Sequence, residues 1–165
     1  MKHFFIVGLP RSRTAWMANW FTYGDSFCFH DGLAGISSKE DYAAKLQSKN
    51  ASYVGDSDSG LVFLDLKYLY PDSPVVVIHR SIVKCQMSMK RAGIPGAEHF
   101  QFLNSLLEKM PGLHVNFSDI DKRIDEITDY CIGTTMDADR KEFLLNINMR
   151  IIQNKTGDSF LTEGI

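Results

Sequence analysis

A basic, hydroxyl-rich segment follows the first apolar run of the chain, within residues 4–16 (FFIVGLPRSRTAW). Gly8 permits a tight turn there, and Pro10 keeps a helix from starting at once. The next residues offer backbone amides, two hydroxyl groups and two guanidinium groups, from Arg11, Ser12, Arg13, Thr14 and Ala15. Amides at the start of a helix attract anions, so the pattern predicts a P-loop-type, phosphate-binding turn between a strand and a helix.

The same segment lacks the groups that bind a nucleoside triphosphate together with magnesium. The pattern GxxxxGK[ST] would require glycine, lysine and a hydroxyl residue at positions 13–15. The chain has Arg13, Thr14 and Ala15 instead, so it has neither the lysine for the terminal phosphates nor the hydroxyl group for Mg²⁺. We therefore expect an anion other than the phosphates of ATP, and no metal.

A second basic residue stands at the end of the clearest strand pattern, SPVVVIHR (residues 73–80). Arg80 ends this strand, and Ser88 follows eight positions later on the next predicted helix. The helix rises roughly 10 Å over this interval, which a long arginine side chain and a bound phosphate can bridge together. Lys84 and Arg91, one turn on either side of Ser88, are expected to be solvated.

Together these patterns resemble the sulfotransferases that use 3′-phosphoadenosine 5′-phosphosulfate (PAPS). GLPRSRTAW (residues 8–16) is similar to their 5′-phosphosulfate loop, whose pattern is roughly G-x-P-[RK]-S-G-T-[TS]. In that family an arginine at a strand end and a serine eight positions later bind the 3′-phosphate, which matches Arg80 and Ser88. A weaker match to the family's late strand and C-terminal helices covers residues 114–146.

The resemblance implies a PAPS cofactor that leaves as 3′,5′-ADP (PAP). It implies cofactor contacts from Pro10, Arg11, Ser12, Arg13, Thr14, Ala15, Trp16, Arg80 and Ser88. Two positions depart from the family pattern, because Arg13 replaces the loop glycine and Ala15 replaces a hydroxyl residue. Arg13 either supplies a charge in place of the lost contact or points away from the ligand. The chain of 165 residues is also short for the family, so reduced acceptor-binding insertions are expected.

Sulfuryl transfer requires positive groups around the sulfonate oxygens and a base for the acceptor's proton. Arg11 can supply positive charge, and the segment FCFHDG carries His30 and Asp31 at the end of the second predicted strand. His30 titrates near neutral pH and is favoured as the base, with Asp31 orienting it or acting alone. The alternative interpretation is that Asp31 and Gly32 form only a turn, which His30 caps.

Structural roles are expected for several other polar residues. Asp56 and Asp58 lie at the end of the third predicted strand and are interpreted as turn formers, with contact to a polar or cationic acceptor as the alternative. His79 lies within an apolar strand run and is interpreted as a core histidine. No histidine, cysteine or carboxylate cluster has the spacing of a metal site.

Strand patterns alternate with helix patterns along the chain, which predicts an α/β fold with a central parallel sheet in a three-layer sandwich. Helices are predicted at 14–21, 38–49, 61–70, after Arg80, near 98–109, from Ser118 to Gly133, and from Asp137 to about Ile151. Ser118 and Asp121 have the spacing of a capping box. We expect one sulfotransferase-like domain over residues 1–165, with a loose tail at 154–165.

Composition narrows the remaining choices. The net charge of -2 favours neither nucleic acid nor an acidic membrane as a partner. The three cysteines are far apart in apolar surroundings, and the chain opens almost directly on a strand, so a reduced, cytoplasmic protein is expected. The acceptor is expected to be a small molecule or a glycan. A drifted P-loop kinase for a small molecule or nucleotide, and a non-catalytic nucleotide-binding module, remain as alternatives.

Overall fold

The computed structural model of the protein describes residues 1–146, 149–153 and 159–163. Five strands form one parallel sheet in the order β2-β3-β1-β4-β5. These strands are β1 (Lys2–Gly8), β2 (Ser26–His30), β3 (Tyr53–Ser57), β4 (Val75–His79) and β5 (Leu113–Asn116). The central, most apolar strands β1 and β4 are neighbours, as expected for strands that are buried on both faces.

Helices cover both faces of this sheet, which confirms the predicted α/β class with a central parallel sheet. The helices are α1 (Thr14–Phe21), α2 (Lys39–Gln47), α3 (Leu66–Leu69), α4 (Ile82–Arg91), α5 (Phe100–Leu107), α6 (Ile120–Ile132) and α7 (Ala138–Asn146). Strands β6 (Met149–Gln153) and β7 (Ser159–Glu163) form a separate antiparallel pair. None of the helices in these described ranges has the length and apolar character needed to cross a bilayer.

Alternate residues of β1 divide the core between the two faces of the sheet. Phe4 and Ile6 pack with α1 and α6 in one apolar cluster, whereas Phe5 and Val7 pack with α2, α4 and α5 in the other. All four side chains are fully buried. The period of two along a strand therefore supplies both layers of the core from one segment.

The connections between strands bring the ends of β1 and β4 side by side. The connection from β1 to β2 uses the α1 face, and the later connections run the opposite way across the sheet on the other face. Reversing both the direction and the face keeps one handedness of crossover throughout. The connections that follow the neighbouring strands β1 and β4 therefore leave in opposite directions. Open α/β sheets bind ligands at such a point.

Two predicted helices differ in the structure. Residues 61–70 do not form one helix, because a 3₁₀ turn at Ser59–Phe63 ends before α3 begins, and the Asp65 side chain accepts a hydrogen bond from the amide of Tyr68 to start α3. The predicted helix from Asp137 to about Ile151 ends at Asn146, and residues 149–153 pair as a strand instead. β-branched residues at 151 and 152 favour that strand.

One smaller prediction at the start of a helix is also corrected. Ser118 and Asp121 form no capping box, because α6 begins at Ile120 without a side-chain cap and Asp121 binds Arg13. The predicted loose tail contains β7, whereas residues 154–158 and 164–165 lie outside the described residues. The three cysteines are buried and unpaired, as expected.

Candidate functional site

The loop after β1, residues 9–13, is called the basic loop below. The amide of Ser12 donates to the carbonyl of Leu9 over 3.0 Å, which closes a turn with Pro10 and Arg11 at its centre. Arg11 has a φ of 71°, the left-handed value that a type II turn requires at this position and that glycine usually supplies. The strand end before the turn is equally constrained, because a Cβ on Gly8 would lie 3.1 Å from the carbonyl oxygen of Ile78 on β4.

Helix α1 begins directly after the basic loop with its first amides uncapped by the N-cap side chain. Arg13 is the N-cap residue, has a φ of 65° and makes no side-chain capping bond. Its carbonyl accepts the first helical bond from Met17 over 2.9 Å. The amides of residues 14–16 therefore point out of the helix N-terminus, where backbone geometry and the helix dipole both favour a negative charge.

The predicted site residues Arg11, Arg80 and Ser88 meet at this loop. The Nε of Arg11 donates to the Oγ of Ser88 over 3.1 Å, and Arg80 Nη1 donates to the carbonyl of Arg11. The Arg80 guanidinium also stacks on Phe117, 4.0 Å from the ring centre. Within residues 1–146, the buried Nε of Arg80 has no hydrogen-bond partner. Arg80 and Ser88 are 69 and 77 positions from Arg11 in the chain, and the fold brings all three into one cluster.

The hydroxyl residues of the loop lie below its surface. Ser12 is fully buried, with its Oγ 3.8 Å from the Sγ of Cys85 on α4. Thr14 is buried as well, and its carbonyl accepts a 2.8 Å hydrogen bond from the hydroxyl of Ser57 on β3. These contacts tie the basic loop to α4 and the first residue of α1 to β3, so this segment is held in place from below.

The remaining predicted contacts have other surroundings. Arg13 turns away from Arg11 and pairs with Asp121 on α6, with its guanidinium 4.6 Å from the ring centre of Trp16. Trp16 itself is buried and donates from Nε1 to the carbonyl of Leu144, so only its amide is available to a ligand. Lys84 and Arg91 are exposed, as expected.

His30 and Asp31, the two residues predicted to act as the catalytic base and its partner, lie at the end of β2. Asp31 has a φ of 54°, so the chain turns immediately after His30 and both side chains come to the same side. The Nδ1 of His30 lies 3.5 Å from the Oδ2 of Asp31. Burial lowers the pKa of His30 against the opposing charges of Asp31 and Asp58, and burial raises the pKa of Asp31. A neutral imidazole at physiological pH is the form that accepts a proton.

The segment of residues 31–33, called the acidic turn below, is anchored by residues that the sequence interpretation gave no such role. Asp56 accepts hydrogen bonds from the amide of Gly32 over 3.0 Å and from the hydroxyl of Tyr42 over 2.8 Å. Asp58 accepts from the amide of Leu33 over 3.1 Å. Lys45 completes the anchor by donating to the carbonyl of Gly32 over 2.6 Å.

Asp56 is therefore not the simple turn former that was predicted. It is fully buried on the inner strand β3, and burial together with the charge of Asp58 raises its pKa to about 7. A Cβ on Gly32 would lie 2.3 Å from the Asp56 carboxylate, so glycine is required where the two meet. Asp58 does form the predicted turn, because its other oxygen accepts from the amide of Gly60 over 2.7 Å.

His79 has a hydrogen-bond partner, as predicted for a satisfied histidine, but it does not lie in the core. As the last residue of β4 it is only half-buried, and its Nε2 lies 2.7 Å from the Nδ1 of His114 on β5. The two rings stack with their centres 4.9 Å apart. Burial and the neighbouring His114 lower the pKa of His79. In the part of the chain that the structure describes, no three histidine, cysteine or carboxylate side chains come together in a group that could bind a metal ion.

The chain was also compared with known proteins. No protein-family model, no curated protein and no solved structure gave a significant match. Functional inference for this chain therefore depends on the geometry of the basic loop and the acidic turn.

Proposed function

We propose that this protein is a sulfotransferase that transfers a sulfuryl group from PAPS to a hydroxyl or amine. The observation that carries the proposal is the meeting of Arg11, Arg80 and Ser88 beside the start of α1. A 5′-phosphosulfate at the helix N-terminus would accept from the amides of residues 14–16. A 3′-phosphate would then accept from Arg80 and Ser88, which the sequence resemblance had paired for that purpose.

The residues at the basic loop fit such a cofactor. A Cβ on Gly8 would crowd both Ile78 and Ser12, so glycine is what lets the end of β1 pack closely against β4 and the basic loop. The buried Nε of Arg80, which has no partner among residues 1–146, is a donor of the kind that phosphate oxygens satisfy. In this proposal Arg11 would lie between the two phosphates and neutralise charge that develops on the leaving group.

The chemistry that PAPS supplies is an activated sulfuryl group attached to a phosphate. In the proposed step the acceptor oxygen or nitrogen forms the new bond to sulfur while the bond from sulfur to the bridging phosphate oxygen breaks, releasing PAP. His30 accepts the proton, and Asp31 stabilises the resulting imidazolium 3.5 Å away. Arrangement and electrostatics supply the catalysis, as in phosphoryl transfer.

Two competing functions lead to different ligand preferences. A P-loop kinase would bind ATP with Mg²⁺ in preference to PAP, and a non-catalytic nucleotide-binding module would bind PAP without turnover. The test measures thermal stabilisation by PAP, 5′-AMP and ATP with Mg²⁺ in chelator-treated protein, because a ligand that binds the native state raises its melting temperature. PAP should stabilise most and without metal. Preference for ATP with Mg²⁺ would reject the proposal in favour of the kinase.

A further inference from the structure

Helix α4 presents an apolar strip to the outside of the molecule. Its inward side is anchored by Cys85 and Met89, which are buried in the apolar cluster on the α4 and α5 side of the sheet. Val83 and Met87 lie on the opposite side of the helix and are 62% and 50% exposed. Residues four apart on a helix are neighbours, so these two side chains form one exposed apolar strip.

The turn that ends α4 adds a further exposed apolar side chain. The amide of Ile94 donates to the carbonyl of Met89 over 3.0 Å, and the amide of Gly93 donates to the carbonyl of Lys90 over 3.2 Å. This is the hydrogen-bond pattern of a Schellman motif, in which the apolar residue after the glycine frequently packs back onto the helix. Ile94 nevertheless stays 44% exposed. The surface called the α4 face below consists of the exposed apolar and basic residues of this helix and turn: Val83, Lys84, Met87, Lys90, Arg91 and Ile94.

The charges on the α4 face all have the same sign. Helix α4 contains Lys84, Lys90 and Arg91 and no acidic residue, although the whole chain has a net charge of -2. The expectation drawn from that net charge, which did not favour an acidic membrane, averages over the chain and does not describe this face. The three basic side chains are exposed, and among residues 1–146 none of them pairs with a carboxylate.

Stabilisation of the helix does not account for all of this charge. Lys90 and Arg91 lie in the last turn of α4, where a positive charge complements the helix dipole. Lys84 lies in the first turn, where the same dipole disfavours a positive charge. Unpaired cations beside an exposed apolar strip are instead complementary to a partner that is both anionic and apolar.

The shape of the turn distinguishes between partners of this kind. Residues 90–96 are all exposed, and a Cβ on Gly93 or Gly96 would meet no atom within 4 Å. The turn therefore projects from the molecule, whereas a peptide helix or strand is bound in a groove or along a sheet edge. A projecting apolar side chain with basic residues beside it suits a lipid bilayer, whose anionic headgroups lie above an apolar interior.

We propose that the α4 face is a docking surface for bilayers that contain anionic phospholipid. Val83, Met87 and Ile94 enter the boundary between headgroups and acyl chains. The basic residues beside them contact the lipid phosphates. Three apolar side chains and three charges give reversible binding at the membrane surface and not permanent anchoring. The inference does not depend on the proposed sulfotransferase function, since it uses neither the basic loop nor the acidic turn.

The first test removes one charge and measures cosedimentation with vesicles. The protein should bind vesicles of phosphatidylserine mixed with phosphatidylcholine and should not bind vesicles of phosphatidylcholine alone. Lys90→Gln should weaken binding to the mixed vesicles roughly 5-fold, the contribution of one basic residue near an anionic surface. Lys122→Gln is the matched control, because Lys122 is exposed on α6, which packs on the other face of the sheet, and its binding should be unchanged.

The second test removes an apolar side chain from the same surface. Met87→Ser should weaken binding to the mixed vesicles by roughly 3- to 10-fold, because less apolar area leaves water on docking. Phe143→Ser should bind as the wild type does, since Phe143 is 55% exposed on α7, which packs on the other face of the sheet. Val83→Ser repeats the comparison if the melting temperature shows that Met87→Ser does not fold.

Three results would overturn the inference. The first is equal binding to the two kinds of vesicle, or binding to neither. The second is an equal loss of binding in a test variant and its control. The third is wild-type binding in Met87→Ser and Val83→Ser combined with a loss in Lys90→Gln and tight binding of soluble polyglutamate, which would assign the α4 face to an acidic protein.

Discussion

The basic loop after β1 and the acidic turn after β2 leave the same edge of the sheet but are held by opposite charges. Arg80 donates to the backbone of the basic loop, whereas Asp56 and Asp58 accept from the backbone of the acidic turn. Among the described residues, the three non-glycine positions with positive φ all lie in these two segments: Arg11, Arg13 and Asp31. An unfavourable backbone conformation persists only where surrounding contacts hold it in place, and such positions are common at functional sites.

One edge of the sheet therefore carries two chemically different surroundings. The basic loop supplies donors and positive charge, which suit an anion whose charge grows during transfer. Around the acidic turn, burial and the charge of Asp58 raise the pKa of Asp56 to about 7. Burial also raises the pKa of Asp31 and lowers that of His30. Groups with opposed pKa shifts in neighbouring positions are a pattern expected of acid and base roles.

The largest expected effect concerns Asp56, the buried carboxylate that anchors the acidic turn. Asp56 holds its proton up to about pH 7 in the folded protein, compared with an ordinary value of 3.8. The folded state therefore binds more protons between these values, and the stability from Asp56 falls as pH rises from about 4 to about 7. The full difference in the pKa of Asp56 corresponds to at most about 4 kcal/mol in the free energy of unfolding.

Asp56→Asn should remove this slope, because the amide keeps an acceptor for Gly32 but does not titrate. Urea unfolding at several pH values between 4 and 8 measures the effect as the difference between wild type and Asp56→Asn. Taking the difference cancels the contributions of His30 and Asp31. Parallel stability curves for the two proteins would show that Asp56 has an ordinary pKa.

The second prediction concerns His30 and Asp31, and it distinguishes an effect on turnover from an effect on nucleotide binding. His30→Ala should reduce turnover by on the order of 10² or more and leave PAP affinity unchanged, since only the base is lost. Asp31→Asn should reduce turnover less if it only stabilises the imidazolium. Turnover and PAP binding are measured for both variants with a mass-spectrometric assay of sulfated product. Full activity in His30→Ala with collapse in Asp31→Asn would transfer the role to the carboxylate.

The third prediction breaks the basic loop instead. Arg80→Ala should weaken PAP by roughly 10- to 100-fold, because a charge-assisted hydrogen bond to the 3′-phosphate is lost. The affinity for 5′-AMP should change much less, since that ligand has no 3′-phosphate. Exposed Arg91 on α4 offers a matched control, and Arg91→Ala should bind both nucleotides normally. Equal losses of PAP and 5′-AMP in Arg80→Ala would remove the 3′-phosphate assignment.

The same contrast shows what the sequence could predict. The basic loop was predictable because its groups are local: β1 ends at Gly8, and α1 begins at Thr14, where the pattern predicted it. The spacing of Arg80 and Ser88 could also be predicted from the sequence, because the end of a strand and the next helix follow each other in the chain. The order of the strands, which brings these residues to Arg11, depends on long-range pairing that no local pattern carries.

The acidic turn was less predictable because its chemistry comes from burial. Asp56 occupies a sequence context, GDSDSG, that resembles a polar loop, but β3 lies between β1 and β2 and is covered on both faces. Its partner Tyr42 is 14 positions away on a different element. Two carboxylates spaced two apart at the end of an inner strand were the only available indication. Tertiary packing, which local propensity does not determine, converted them into an anchor.

The smallest expected effect concerns Arg13, the residue that departs from the family's loop glycine. Arg13 pairs with Asp121 at the surface, and the Arg13 and Asp121 side chains are 25% and 53% exposed, so the ion pair should contribute about 1 kcal/mol or less. Its φ of 65° costs a non-glycine residue roughly 1 kcal/mol, a cost that glycine does not have. Arg13→Gly should therefore be close to wild type in stability, because the two effects offset each other.

Arg13→Ala provides the matched comparison, because alanine loses the ion pair and keeps the unfavourable backbone conformation. It should be less stable than Arg13→Gly by about 1 kcal/mol, measured by urea unfolding at one pH. PAP affinity should change less than about 3-fold in both variants, because the guanidinium faces Asp121 and not Arg11. A loss of PAP affinity of about 10-fold or more in both variants, together with tighter binding in Asp121→Asn, would show that Arg13 leaves α6 to contact the nucleotide. The basic loop would then use both of its arginines as anion ligands, and Asp121 would be a competitor that holds one of them back.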